Sequence, residues 1–224
     1  MATMDREAKR ELFDAFALIG KAVSSGRRVE LLDVLANGER SVDGLAQQLD
    51  LSVANTSQHL QILKQAGLVS SRRSGTSVRY RLASPEVFAF LTSLRGLAAS
   101  RLGDVDRLSR TYLGERDSES VITRGGLASR LGKKGLIVLD VRPREEFESG
   151  HLPGAVSAPL EELTEHLPRL PKDAQIVVYC RGPYCAYSHA AVELLRQRGF
   201  RASRLEDGLP EWEAGGYPTE HGTG

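Results

Sequence analysis

Only two of the 224 residues are cysteine, and both lie late in the chain, at Cys180 and Cys185. No apolar run approaches the ~20 residues that cross a bilayer, and the opening Met1–Arg10 does not read as a signal peptide. These absences set the first expectations: no membrane partner, a reducing cytoplasm, and a cysteine pair used for catalysis or redox chemistry. Acidic residues are missing between Asp50 and Glu86, while Lys64, Arg72, Arg73, Arg79 and Arg81 all fall in that stretch. A locally one-signed surface of this kind suits a polyanion. The net charge of +1 conceals the bias. Met1–Asp117 carries 17 basic and 14 acidic residues, against 13 and 15 in Ser118–Gly224. With 41% apolar and 26% charged residues, the composition is that of a globular protein long enough for two modest domains.

The cysteines flank a Gly-Pro turn in Val177–Ser188. The β-branched run Gln175–Tyr179 reads as a buried strand, and Ala186–Arg198 has helical spacing with a stop at Gly199. Cys180 therefore falls where a strand ends and a helix begins, where backbone N–H groups and the helix dipole favour an anion and activate a thiol. Arg181 acts in the same direction. A Cys-x5-Arg phosphatase loop is excluded, because Ala186 stands where the arginine is needed. Cys180, Cys185 and His189 supply three candidate metal ligands without a clear fourth, so no metal or cofactor is expected. A sulfur-transfer loop with a persulfide on Cys180 is the third option. Cys185, at the other end of a loop folded about one point, can then attack Cys180, given Cα atoms within ~7 Å for a disulfide.

The first half reads as helices over Asp5–Val23 and Val29–Leu35, then a short helix capped by Ser41. A turn at Asp50-Leu51-Ser52 leads to a helix over Val53–Ala66. Such a pair is a helix-turn-helix, whose second helix enters the major groove. Leu60 and Leu63 face inward, while Asn55, Ser57, Gln58, His59 and Gln61 are candidates to bond base edges. Leu68–Arg73 and Ser77–Leu82 form a hairpin, a wing whose Arg72, Arg73 and Arg79 are candidates for phosphate contacts. From Pro85 onward, Val87, Leu91, Leu94, Ala98, Val105, Leu108 and Tyr112 mark one long helix with a heptad-like seam, expected at a homodimer interface.

Arg27–Leu82 resembles the ArsR-type winged-helix repressors, through Leu45-Ala46-Gln47-Gln48-Leu49, Ser57-Gln58-His59-Leu60 and Leu63-Lys64-Gln65-Ala66-Gly67-Leu68-Val69. The metal-binding cysteines and histidines of many such repressors have no counterpart, since no cysteine precedes Cys180 and no histidine lies between His59 and His151. Ser118–Pro218 is similar to the rhodanese family, through Val138-Leu139-Asp140-Val141-Arg142, Glu145-Glu146-Phe147 with Gly150-His151-Leu152-Pro153-Gly154-Ala155, and Asp207-Gly208 with Trp212 and Gly216-Tyr217-Pro218. That resemblance implies a persulfide-forming Cys180 in a cradle of Arg181 to Ala186, with Cys185 standing where active loops often carry a second basic residue.

The expectation is thus a two-domain protein. Residues 1–113 form a mostly α winged helix-turn-helix with a β-hairpin wing, 114–120 a linker, and 121–224 an α/β rhodanese-like parallel sheet. Its favoured function is a DNA-binding transcriptional regulator, a repressor on a palindromic operator in double-stranded DNA. The rhodanese-like part senses a small sulfur donor or oxidant through Cys180, Arg181 and Cys185. The alternative is a sulfurtransferase with an autoregulatory DNA-binding domain.

Overall fold

The computed structural model describes residues 5–114 and 121–223, which fall into two compact units, Met1–Leu94 and Arg95–Gly224. Beyond Gly114, the linker expected over Gly114–Ser120 lies outside the described residues.

The first unit runs α1 (Arg6–Ala22), α2 (Gly26–Ala36), β1 (Arg40–Ser41), α3 (Val42–Gln48), α4 (Val53–Gln65), β2 (Val69–Ser74), β3 (Ser77–Leu82) and the start of α5 (Pro85–Arg101). Ser41 caps α3 by accepting from Gly44 N at 3.1 Å, and Ser52 caps α4 through Asn55 N at 3.2 Å. Asp50, in the turn between the two helices, takes a positive φ of 50° that an Asp tolerates better than most residues. The strands form an antiparallel sheet in the order β1-β3-β2. Leu31, Leu32 and Leu35 of α2 meet Leu45 of α3, Leu60 and Leu63 of α4 and Tyr80 of β3 in one core. Each fully buried leucine there contributes on the order of 1.5–3 kcal/mol.

The expected seam is revised by this core. Val87 and Leu91 are buried in the core of their own unit, because the first turns of α5 lie against α2–α4 residues. The expected single helix is also broken: α5 ends at Arg101, and a separate helix α6 (Asp104–Leu113) follows Leu102-Gly103. A glycine in a helix costs about 1 kcal/mol relative to alanine, which weakens the helix there. The interruption turns Ser109 and Leu113 inward and leaves Leu108 and Tyr112 exposed.

The second unit continues with β4 (Val121–Ile122), α7 (Arg124–Ala128), β5 (Leu136–Asp140), α8 (Arg144–Ser149), β6 (Val156–Ser157), α9 (Leu163–His166), β7 (Gln175–Cys180), α10 (Ala186–Gln197), β8 (Arg201–Gly208) and α11 (Leu209–Ala214). Five parallel strands lie in the order β4-β8-β7-β5-β6. Edge strand β4 pairs with Arg204 and Leu205 of β8. Thr123 then caps α7. Central strand β7 alternates between two cores. Ile176, Val178 and Cys180 enter one, with Ala191 and Leu195 of α10; Val177 and Tyr179 enter the other, with Phe147 and Trp212. Burial on both faces is why its sequence is a continuous apolar run. Among the described residues, no helix is long and apolar enough to cross a membrane.

Candidate functional site

Two surfaces carry the candidate residues. On α4, Thr56, Leu60 and Leu63 are buried, and the helical repeat of 3.6 residues then places Asn55, Gln58 and Gln61 on the outward face. Ser57 and His59 flank it and are half-buried, and Nδ1 of His59 lies inside without a hydrogen-bond partner. The expected polar row thus separates into three outward amides and two side positions. Gln61 donates to the Tyr80 hydroxyl at 3.3 Å and Lys64 to Ser71 Oγ at 2.8 Å, so α4 rests against the Ser71/Tyr80 face of the hairpin.

Directly opposed residues of an antiparallel pair share a face. Arg73 opposes Val78 and lies on the α4 side with Ser71 and Tyr80, whereas Arg72 opposes Arg79 on the other side. Two arginines in register repel, and Glu39, in the turn before β1, sits between them. Its carboxylate accepts from Arg72 Nε at 2.8 Å and Arg79 Nε at 2.7 Å, and lies 2.7 Å from the second Arg72 nitrogen. Arg79 also donates to the Glu39 carbonyl at 3.2 Å. The hydrogen bond from Arg72 holds the Glu39 carboxyl below its ordinary range, ahead of the smaller contribution of Arg79. Sequence reasoning named both arginines and missed Glu39. The only signal for it was a lone acid just ahead of a strand.

In the second unit, Cys180 ends β7 and Cys185 is the N-cap of α10. The structure joins them as a disulfide with Cα atoms 6.3 Å apart, inside the distance the loop needed to meet. In this disulfide state Cys180 is 1% exposed, whereas Cys185 is half-buried, so a reductant from solvent meets the Cys185 sulfur first. Cys185 N–H donates to Gly182 O at 3.1 Å, which removes one donor from the expected anion cradle. Arg181 turns to Glu146, whose carboxylate takes its Nε at 3.1 Å and a terminal nitrogen at 2.7 Å. Burial would depress this guanidinium, but Glu146 keeps its pKa above the ordinary arginine value. Its charge is thereby balanced, and the expected push on the Cys180 thiol is reduced accordingly.

The loop is pressed from behind by Gly208. A Cβ there would stand 2.3 Å from Arg181 C and Gly182 N. Gly208 N donates to Glu211 at 3.0 Å, and burial raises the Glu211 carboxyl while that bond opposes the shift. One strand away, Arg142 is fully buried and paired with Asp140, its NH2 at 2.6 Å, and also donates to Gly150 O at 2.7 Å. Tyr179 donates to Asp140 at 2.5 Å and accepts from Leu152 N. This network fixes the Gly150–Ala155 turn, where His151 stacks on Phe147 at 3.7 Å. Among the described residues, no three His, Cys, Asp or Glu side chains gather as a metal site.

Both halves of this arrangement recur in known proteins. Residues 25–71 match the bacterial regulatory protein, arsR family, and residues 123–215 match the rhodanese-like domain. Over 216 residues the chain is 39% identical to the HTH-type transcriptional regulator Rv0324 of Mycobacterium tuberculosis, covering 96% of this chain and 95% of that protein. The chain is an ArsR-family transcriptional regulator that carries a rhodanese-like domain. The regulator is also 32% identical over 106 residues to a sulfurtransferase of Allochromatium vinosum, which spans 46% of this chain and 92% of that one. A homodimeric winged helix-turn-helix DNA-binding domain from Mycobacterium bovis is 38% identical, with a TM-score of 0.42, covering 46% of this chain and 93% of that chain. In the regulator's winged unit, Asn55, Gln58, Gln61 and Arg73 are brought to the α4 side, while Arg72 and Arg79 are drawn to Glu39.

Proposed function

We propose that this regulator is a cytoplasmic repressor whose DNA affinity follows the state of the Cys180–Cys185 pair. The observation that carries the reading is the juxtaposition of the two thiols at the strand-to-helix loop, close enough to interconvert between dithiol and disulfide. In the reduced state, the Cys180 thiolate attacks the outer sulfur of a small persulfide and expels the donor thiolate, leaving a persulfide on Cys180. Cys185 then attacks the inner sulfur and releases hydrogen sulfide. The net change is two protein thiols oxidised to one disulfide and one sulfane sulfur reduced to sulfide. Two equivalents of a small thiol reset the pair: the first attacks Cys185, the more accessible sulfur, freeing Cys180 and leaving a mixed disulfide, and the second releases Cys185 with formation of the small-molecule disulfide.

Residues 1–113 are the DNA-binding and dimerisation part in this reading, and 121–224 the sensing part. Asn55, Gln58 and Gln61 read base edges, and Arg73 contacts a phosphate. Dimerisation is supported by α1, a 17-residue helix that buries only Ala22 while Leu12, Phe13 and Phe16 are each more than half exposed. A helix with so little packing is marginal alone, and a second copy on a palindromic operator supplies the missing surface. The likeness to the Allochromatium protein favours a second reading, sulfurtransferase activity through the same Cys180.

The deciding measurement is operator binding before and after polysulfide, alongside mass spectrometry. Wild type should gain the Cys180–Cys185 link and change affinity. Cys185→Ser should stop at a persulfide on Cys180, and Cys180→Ser should not respond. A Cys180→Ser protein with a normal response would refute the sensor reading, and rapid thiosulfate turnover without any change in DNA affinity would favour the second.

A further inference from the structure

The Glu39 carboxylate holds both Arg72 and Arg79. Its two carboxylate oxygens use Nε of both guanidinium groups and a terminal nitrogen of Arg72, the same edges that grip phosphate in a fork. β1 pairs with β3 through Arg40–Tyr80 and Ser41–Arg79, which fixes Glu39 beside the two arginines. The Glu39 side chain is 19% exposed and the Arg72 side chain 62%, so the group lies at the surface of the sheet where a duplex backbone could reach it. The neighbouring Arg81 is tied by Nε to Ser70 Oγ at 3.2 Å, an uncharged partner, and carries its full charge on the same face.

We infer that Glu39 is a specificity-determining residue for DNA binding: by holding Arg72 and Arg79 it keeps them from the phosphate backbone and suppresses sequence-independent affinity. Positive charge aimed at phosphates strengthens binding to every duplex alike, and so dilutes whatever discrimination base contacts supply. With Glu39 in place, the wing presents Arg73 on the α4 side, next to the amides that face outward, and the Arg72–Arg79 pair of the opposite side carries one net positive charge instead of two, with its guanidinium edges occupied. The inference rests on the reading that the wing meets the duplex, and its test separates the two.

The experiment measures binding of the reduced full-length protein to a random-sequence duplex across a salt series. Glu39→Gln should tighten binding several-fold and steepen the salt slope by about 1–2 units, since each additional phosphate contact adds roughly 0.9. Adding Arg72→Ala and Arg79→Ala to Glu39→Gln should abolish the gain, and Glu39→Asp, which keeps the charge, should stay near wild type. Thermal unfolding of each variant identifies any that fail to fold, and the Asp variant then carries the comparison together with Arg72→Ala and Arg79→Ala alone, which should leave the slope nearly unchanged. An Arg73→Ala protein with a reduced slope beside a Glu39→Gln protein with a wild-type slope overturns the role of Glu39 and leaves the wing at the DNA. If neither substitution moves the slope, the wing itself is absent from the interface and both readings fall.

Discussion

Replacing Gly208 with alanine tests whether the end of β8 sets the shape of the cysteine loop. The added Cβ would meet Arg181 C and Gly182 N at 2.3 Å and Arg181 O at 2.6 Å. Carbon contacts settle at about 3.5–4.0 Å, so the two backbones must part by more than about 1 Å. Neither can yield cheaply. Gly208 is paired across the sheet with Cys180, and its N–H is held by the buried Glu211. Overpacking of this kind costs about 1–3 kcal/mol. For a chain of this size each kcal/mol lowers the melting temperature by about 2–4 °C, giving a fall of roughly 2–12 °C in the reduced protein. The loop gives way more easily than the sheet, and the Cα separation of 6.3 Å has little room before a disulfide can no longer close. Thermal melts of the reduced protein and equilibration in glutathione redox buffers are the assays. The disulfide of the variant should become easier to reduce. Wild-type melting with an unchanged redox equilibrium would show that the close approach does not shape the loop.

Two further variants, one single and one double, address the two units in turn. Asp140→Asn leaves Arg142 buried without its counter-charge, and breaking such a pair costs about 3–5 kcal/mol; urea unfolding should show this, and a change below about 1 kcal/mol would mean the network is not cooperative. Phe16→Glu, made together with Phe13→Glu, places charge on the exposed face of α1, so sedimentation should show a monomer with weakened operator binding, whereas an unaltered dimer would move the interface elsewhere.

Much of the site could be read from the chain because it depends on local order. The turn at Asp50 to Ser52, the Ser41 cap and the strand–loop–helix around Cys180 follow from residue type and spacing, which neighbouring residues impose on one another. The same local logic failed where a distant packing partner decided the outcome. Val87 and Leu91 keep a seam spacing, yet they face the core made by α2 to α4, and the helical repeat cannot say which surface an apolar stripe will meet. Val121–Ile122 is too short to announce itself as a strand, and becomes one by pairing with β8, some 80 residues later in the chain.

Charge shows the same division most clearly. The sequence by itself determined that basic residues gather between Asp50 and Glu86 and that both cysteines share one loop. Only the tertiary structure decided which of those charges are available, because the partners are remote in sequence. Glu39 reaches Arg72 and Arg79 through the β1–β3 pairing, and Glu146 reaches Arg181 from a helix that follows the neighbouring strand. A salt bridge depends on distance in space, which residue order constrains only within a turn or a hairpin. Beyond that range, the fold determines which arginine remains to meet an anion.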